Sequence, residues 1–551
     1  MYQYDKYDQT LVEERVQQYR NQTTRYLNGN LTDEEFRSLR LMNGLYIQTH
    51  APLLRVSIPY GLISTKQLRK VASISRDYDR NYVHFTTRQN VQFNWPALER
   101  VPDILSELAS VQMQSIQSSG NCIRNVTSDH FAGICTDEVE DPRPWCEMIR
   151  QWSTFHPEFV WLPRKFKIAV TATSKDRAAT QLHDIGLHLV KNEQGQIGFE
   201  VLVGGGLGRT PVIGKRIRSF LEKKELLAYL EAILRVYNRF GRRDNKFKAR
   251  IKILVNALGV DKFGEMVETE WQQIRQEEQL EIPQQEIDRI QACFAPPTYE
   301  NLEDFSPALD SQLAENKAFS NWFNHNTAEH KIAGYRAVIL SLKAPGSPPG
   351  DVTEKQLDAI AELADQYSFG LIRSLHSQNL AFADVQKSGL FNLWQALEKL
   401  NLATPNIGTL TDIICCPGLD FCSLANATSI PIAKEISERF DDLDYLYDLG
   451  EINIKLSGCM NGCAHQSVGH IGILGVDKKG AEWYQITLGG SSEENATLGA
   501  RLGPAVSKAN ITDAIEKILD TYLELRLDEE AFLQTVRRTG VQPFKEKVYA
   551  N

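Results

Sequence analysis

At 551 residues the chain is too long for one hydrophobic core, so about three domains are expected. Its 42% hydrophobic and 24% charged residues are ordinary for a soluble globular protein, and a formal net charge of −9 argues against nucleic acid as a partner. Any anion site must therefore be a local basic cluster. The opening stretch MYQYDKYDQTLVEERVQQYR is charged, and no apolar run of about 18 residues occurs anywhere. The expectation is a cytoplasmic chain with no membrane partner.

The first fifty residues read as polar helix, with LTDEEFRSLR opening on a Thr cap followed by acids. APLLRVSIPYG (51–61) reads as strand, TKQLRKVASISRDYD (65–79) as an amphipathic helix, and NYVHFTTRQNVQFNW (81–95) as strand, turn and strand. Cations recur in these contexts: Arg55 in LLRVSIPYG, Arg88 in TTRQN, Arg124 in GNCIRN, and Lys165 with Lys167 in LPRKFKIAV. The two lysines alternate with Phe166 on an expected strand, so their side chains share one face. Taken singly, each cation reads as a solvated or ion-paired surface group. Their collection in one part of the chain argues for an oxyanion or carboxylate instead.

VGGGLGR (203–209) is not a dinucleotide fingerprint, because its glycines are 204, 205, 206 and 208, with none three after Gly206. A Gly-rich loop ending in Arg209 lets backbone approach a flat or anionic group. Residues 215–330 read as mostly helical and charged, with DNKFKARIKILV (244–255) a basic strip holding Lys246 and Lys248. KAPGSPPGD (343–351) is a Pro/Gly loop.

A repeat reorganises this picture. Lys66, Gln67, Leu68, Ala72, Tyr78, Gln89, Asn90 and Phe93 each recur 289 residues on, where about two identities would arise by chance. Later landmarks keep their order: RKFKIAV (164–170) precedes LVGGGLGR (202–209), and INIKLSG (452–458) precedes ITLGGS (486–491). The chain reads as a duplicated α+β unit whose halves can enclose one site on a pseudo-two-fold axis. The first half holds the Arg and Lys landmarks. The second lacks them and carries cysteines. One half would grip an anion while the other holds a metal centre.

There are nine cysteines, and five of them lie between 415 and 463. Cys416 and Cys422 sit in CPGLDFC, and Cys459 and Cys463 in CMNGC. In a reducing compartment such clustering points to metal rather than disulfides. Four thiolates suit an iron–sulfur cubane or a structural zinc, and the bland reading is that they are unliganded core thiols. Zinc knuckles use shorter spacers, and longer ones suit a wider cluster. Cys415 reads as packing, and His465 and His470 as structural or solvated.

Together HFTTRQNVQFNWP, GNCIRN, LPRKFKIAV, LVGGGLGRTP, CPGLDFC and KLSGCMNGCAH resemble the sirohaem and 4Fe–4S nitrite/sulfite reductase family, nearest its bacterial assimilatory sulfite-reducing branch. The likeness runs from about residue 40 to 540. It implies duplicated halves with mixed sheets and helices, in three domains around one cofactor site. Residues 1–50 would be a helical extension, 51–117 with 331–400 a paired ferredoxin-like domain, 118–330 the sirohaem and anion domain, and 401–551 the cluster and sirohaem domain. By the same resemblance Cys416, Cys422, Cys459 and Cys463 match the cluster ligands, with Cys463 bridging to the sirohaem iron. Arg55, Arg124, Lys165 and Lys167 match the cations over the substrate. Arg88, Gln92, Arg209, Lys246 and Lys248 match positions near the sirohaem carboxylates. The implied reaction is six-electron reduction of sulfite to sulfide in sulfur assimilation, served by a flavoprotein subunit or a ferredoxin. Sulfite enzymes of the family keep both lysines of RKFK, whereas nitrite enzymes tend to carry Asn at the second. The competing readings are a ferredoxin-dependent nitrite reductase and a zinc-stabilised anion-binding module.

Overall fold

The computed structural model describes residues 1–277, 280–493 and 495–550. Its strands form four sheets. The first runs β1 (Leu45–Ile47), β2 (Pro52–Val56), β5 (Val91–Phe93), β4 (Tyr82–Phe85) and β13 (Asp351–Thr353). The second runs β11 (Thr327–Glu329), β12 (Tyr335–Leu340), β15 (Leu380–Gln386), β14 (Leu371–Ser374) and β3 (Leu62–Ser64). The third runs β10 (Lys215–Glu222), β9 (Ile197–Val203), β8 (Ile185–Lys191), β7 (Ile168–Thr171) and β6 (Thr127–Ser128). The fourth runs β16 (Ile414–Cys415), β17 (Ile454–Ser457), β18 (Ile471–Lys478), β19 (Ala481–Leu488) and β20 (Ala500–Arg501), with β21 (Val506–Ser507) also on β19.

The fold is α+β and duplicated. Strands β3 and β13 lie 289 residues apart, and each completes the other half's sheet: β13 pairs with β4, and β3 with β14. Each then leads into a capped helix of the same length, Thr65–Tyr78 and Glu354–Tyr367, whose capping boxes are Ser64 with Gln67 and Thr353 with Gln356. Backbone exceptions recur at the same interval. Left-handed residues stand at Gly61 and Gly350, Asn81 and Gly370, Gln89 and Gln378, and Gln112 and Asn401. Gln89 Oε1 accepts from Ser128 N while its amide donates to Ser374 O. Gln378 Oε1 accepts from Cys415 N while its amide donates to Phe85 O. These reciprocal bonds fix where β6 and β16 leave their sheets, and so where the residues after Ser128 and Cys415 begin.

Among the described residues three large buried cores follow, with two smaller ones beside them. One joins both ferredoxin-like sheets and their helices, and Val12, Val16, Tyr19 and Phe36 of the N-terminal helices pack into it. The second underlies β6–β10, and the third underlies β16–β19. Residues 215–330 are mostly helical, as expected, after the strand β10 with which they open. One local expectation needs correction. Lys165, Phe166 and Lys167 precede β7 rather than lie within it. Phe166 instead bridges to Ile123 in an extended run, because the chain there pairs with a loop and not with a full strand. The alternation survives in burial: Phe166 is fully buried and the lysines on either side are half-buried.

Candidate active site

The basic wall is assembled by two parallel segments. Phe166 N donates to Cys122 O and Arg124 N to Phe166 O, so GNCIRN and LPRKFK lie side by side. The Arg124 guanidinium donates to the carbonyls of Ser118 and Gly120 at 2.7 to 3.0 Å. Arg88 donates to Thr127 Oγ1 (2.9 Å) and Asn125 O (2.6 Å). Arg55 donates to Gln92 Oε1 at 2.8 Å, and its guanidinium lies 5.2 Å from the centre of the Tyr46 ring. Each arginine is thus locked to the protein. Each holds its charge in place and is not a loose arm.

Lys165 and Lys167 differ. Among the described residues no hydrogen bond or ion pair engages either ammonium group. Burial, with Arg124, Arg250 and Arg164 nearby, pulls Lys165 down to about 8 against the pull of Cys463. Burial, then Arg88, Lys165 and Arg250, pull Lys167 well below the ordinary lysine range. Burial also brings Arg88 down to about 9, with Arg124, Arg250 and Arg55 adding to the effect. Like charges crowded out of water disfavour one another, and an anion among them relieves that. A carboxylate built into the wall is already committed. Asp184, fully buried, accepts from Lys167 N at 2.8 Å and takes a two-pronged bond from Arg250 at 2.9 and 2.8 Å.

Glycines bring the second half close. Gly418 is left-handed (φ 58°), and a Cβ there would stand 2.5 Å from Ser429 Oγ. A Cβ on Gly458 would stand 2.6 Å from Ala427 O. That close approach lets Gly458 N donate to Cys416 Sγ at 3.1 Å. Burial pushes the Cys416 thiol up to about 12, with Cys463 adding to it. Burial also raises Cys422 and Cys459, and Cys463 is among the causes for both. Cys416, Cys422 and Cys459 thus each sense Cys463, and a cation centre among them would relieve their raised values. Four thiols on two adjacent loops supply the donor chemistry that a 4Fe–4S cluster takes.

The halves meet at this point. Thr87 Oγ1 donates to Cys463 O at 2.8 Å. Gly462 backs onto Gly208 of the Gly-rich loop, whose carbonyls at Gly206, Leu207 and Thr210 receive Lys252 Nζ. Of the residues expected from sequence, Arg55, Arg88, Gln92, Arg124, Lys165, Lys167 and Cys463 come together. Arg209 is exposed at the loop tip, and Lys246 and Lys248 are exposed on the solvent side of the basic strip. Arg250 and Lys252 of that strip, together with Asp184 and Tyr46, are the site residues the sequence reading missed. Continuing KFK into KARIK would have reached the two cations.

A family profile described as the nitrite and sulphite reductase 4Fe-4S domain matches residues 119–275 and 408–551. A second, the nitrite/sulfite reductase ferredoxin-like half domain, matches 49–111 and 337–400. The chain is 28% identical over 505 residues to sulfite reductase (ferredoxin) 1 of Mycolicibacterium paratuberculosis, covering 90% of this chain and 83% of that protein. It is 26% identical over 510 residues to an assimilatory ferredoxin-dependent nitrite reductase of Haloferax mediterranei, covering 89% and 82%. The solved structure of the NirA protein of Mycobacterium tuberculosis superposes with a TM-score of 0.76 at 25% identity, covering 93% of this chain and 92% of that one. No described helix is long and apolar enough to cross a membrane.

Proposed function

The chain belongs to the nitrite and sulphite reductase family, and from that premise we propose that it catalyses six-electron reduction of sulfite to sulfide in cytoplasmic sulfur assimilation, with ferredoxin as electron donor. The carrying observation is the pair of unpartnered, half-buried lysines, Lys165 and Lys167, in an arginine-locked wall that reaches Cys463 across the halves. Cys416, Cys422, Cys459 and Cys463 would hold a 4Fe–4S cluster, and Cys463 would also be the thiolate ligand for sirohaem. Bound together, the two groups supply single electrons to the anion. Arg88 and Gln92 in the wall and, on the family resemblance although they face solvent in this structure, Arg209, Lys246 and Lys248 are the proposed contacts for sirohaem carboxylates.

The chain's own residues do the rest. Lys165 and Lys167 neutralise the oxyanion and aim N–H donors at its oxygens. A lysine near 8 is charged at neutrality and releases its proton readily, which suits oxygen leaving as water. Arg55, Arg88 and Arg124, fixed by protein oxygens, supply a preorganised positive field that need not rearrange as charge moves. Asp184 holds Lys167 and Arg250 in register.

Lys at 167, where nitrite enzymes of the family tend to carry Asn, favours sulfite. With reduced ferredoxin, the holoenzyme is expected to release sulfide from sulfite at a higher kcat/KM than it turns over nitrite. Lys167→Asn should move that ratio toward nitrite by roughly tenfold. A protein that consumes nitrite and leaves sulfite untouched would overturn the reading in favour of a nitrite reductase.

A further inference from the structure

The strand pairings align the two halves residue by residue. Ala169 pairs with Thr127 and Gly186, and Lys455 pairs with Ile414 and Gly472. The loops that leave these strands are equal in length. Two and eight residues past Thr127 stand Asp129 and Cys135, and the same steps past Ile414 reach Cys416 and Cys422. Two and six residues past Thr171, the end of β7, stand Thr173 and Arg177. The same steps past Ser457, the end of β17, reach Cys459 and Cys463. Two residues further on, Ala179 and His465 are both left-handed, at φ 52° and 62°, and each opens a 3-10 turn. The backbones of both halves thus present four matched positions, cysteines in one and Asp129, Cys135, Thr173 and Arg177 in the other.

Those four side chains are bonded to one another. Arg177 Nε donates to the Asp129 carboxylate at 2.9 and 3.0 Å, and Nη2 stands 2.7 Å from its Oδ2. Arg177 Nη2 also donates to Cys135 Sγ at 2.9 Å. Thr173 Oγ1 donates to Asp129 Oδ2 at 3.0 Å. Asp129 is 1% exposed. The guanidinium is the shared partner, as a metal centre is for four thiolates. It also borders a cavity of about 140 Å³ with Asn453, and Asn453 directly precedes β17 as Lys167 directly precedes β7.

We infer that Asp129, Cys135, Thr173 and Arg177 occupy the first half's own copy of the cluster site, with the Arg177 guanidinium cross-linking the two loops there in place of an iron–sulfur cluster. The cavity beside it is the matching copy of the anion pocket, with Asn453 in place of a lysine. This inference rests on the four-cysteine assignment in the second half.

The combined variant Asp129→Cys, Thr173→Cys and Arg177→Cys, with the resident Cys135, restores four thiols. After anaerobic reconstitution with iron and sulfide, it is expected to carry about twice the acid-labile sulfide per chain of the parent. Equal sulfide in parent and folded variant overturns the inference. A parent without labile sulfide overturns the four-cysteine assignment instead. If the triple variant does not fold, Arg177→Met decides. Amide exchange should then quicken by about tenfold in 129–135 and 173–177 together. Unchanged exchange in either loop contradicts the cross-link.

Discussion

The sheet of β6–β9 and the sheet of β16–β19 share pairings, loop lengths and left-handed turns, yet one presents ammonium and guanidinium groups and the other thiols. The backbone is the conserved quantity and the side chains at a few loop positions carry the chemistry. In the first half, Lys165 and Lys167 stand before β7. In the second, the thiols stand after β16 and β17, where the first half holds Asp129, Cys135, Thr173 and Arg177. One active site arises because each half keeps only one of the two jobs, and because Thr87 and Gly208 press the basic half against the loop of Cys463.

Breaking the thiol side should have the largest effect. Cys463→Ser is expected to lose labile sulfide and porphyrinoid absorption together, and to lower sulfite turnover by more than about 100-fold. Retention of full turnover would remove Cys463 from the junction of the halves. On the basic side, Lys165→Gln should lower kcat/KM for sulfite by about 100-fold while iron and sulfide per chain stay at parent values, since it removes a donor and not a ligand. Asp184→Asn leaves Arg250 buried without its carboxylate. It should cost about 3–5 kcal/mol in the domain that holds it, read as a lower melting temperature. An unchanged melt would mean that Arg250 finds another partner.

The smallest effect is in pH. Lys165 must be charged to hold the anion, and its folded value near 8 lies below its ordinary 10.5. Sulfite affinity should therefore fall as pH rises through about 8. Stability without anion moves the other way: the folded state binds fewer protons than the unfolded one between about 8 and 10.5, so it gains stability as pH rises across that window. Lys165→Gln should flatten both trends.

Much of this was legible in the sequence because the duplication leaves identities at a fixed interval. Gln89 and Gln378 recur because each ties a strand exit to the opposite half, a role that tolerates little change. The cysteine cluster of 415–463 is legible in the sequence, whereas the choice of Cys416, Cys422, Cys459 and Cys463 as ligands comes from the family resemblance. Less visible were the groups that act through tertiary contact. Asp184 sits in an unremarkable stretch and matters only because Arg250 and Lys167 fold onto it. Within DNKFKARIKILV the sequence marks a basic strip, but only the structure shows Arg250 and Lys252 turned inward and Lys246 and Lys248 facing solvent. The match of Asp129, Cys135, Thr173 and Arg177 to the cysteines was hidden because a single residue type, Cys, survives at a single matched position.

The division of labour is tested most directly by titrating sulfite into the oxidised holoenzyme and into a Lys165→Gln, Lys167→Gln double variant, following the visible absorption and measuring iron and labile sulfide in each. The account predicts equal cofactor content in both proteins, a sulfite-dependent spectral change in the parent, and none in the variant. A variant that binds sulfite as the parent does, or that loses its iron along with its lysines, would contradict it.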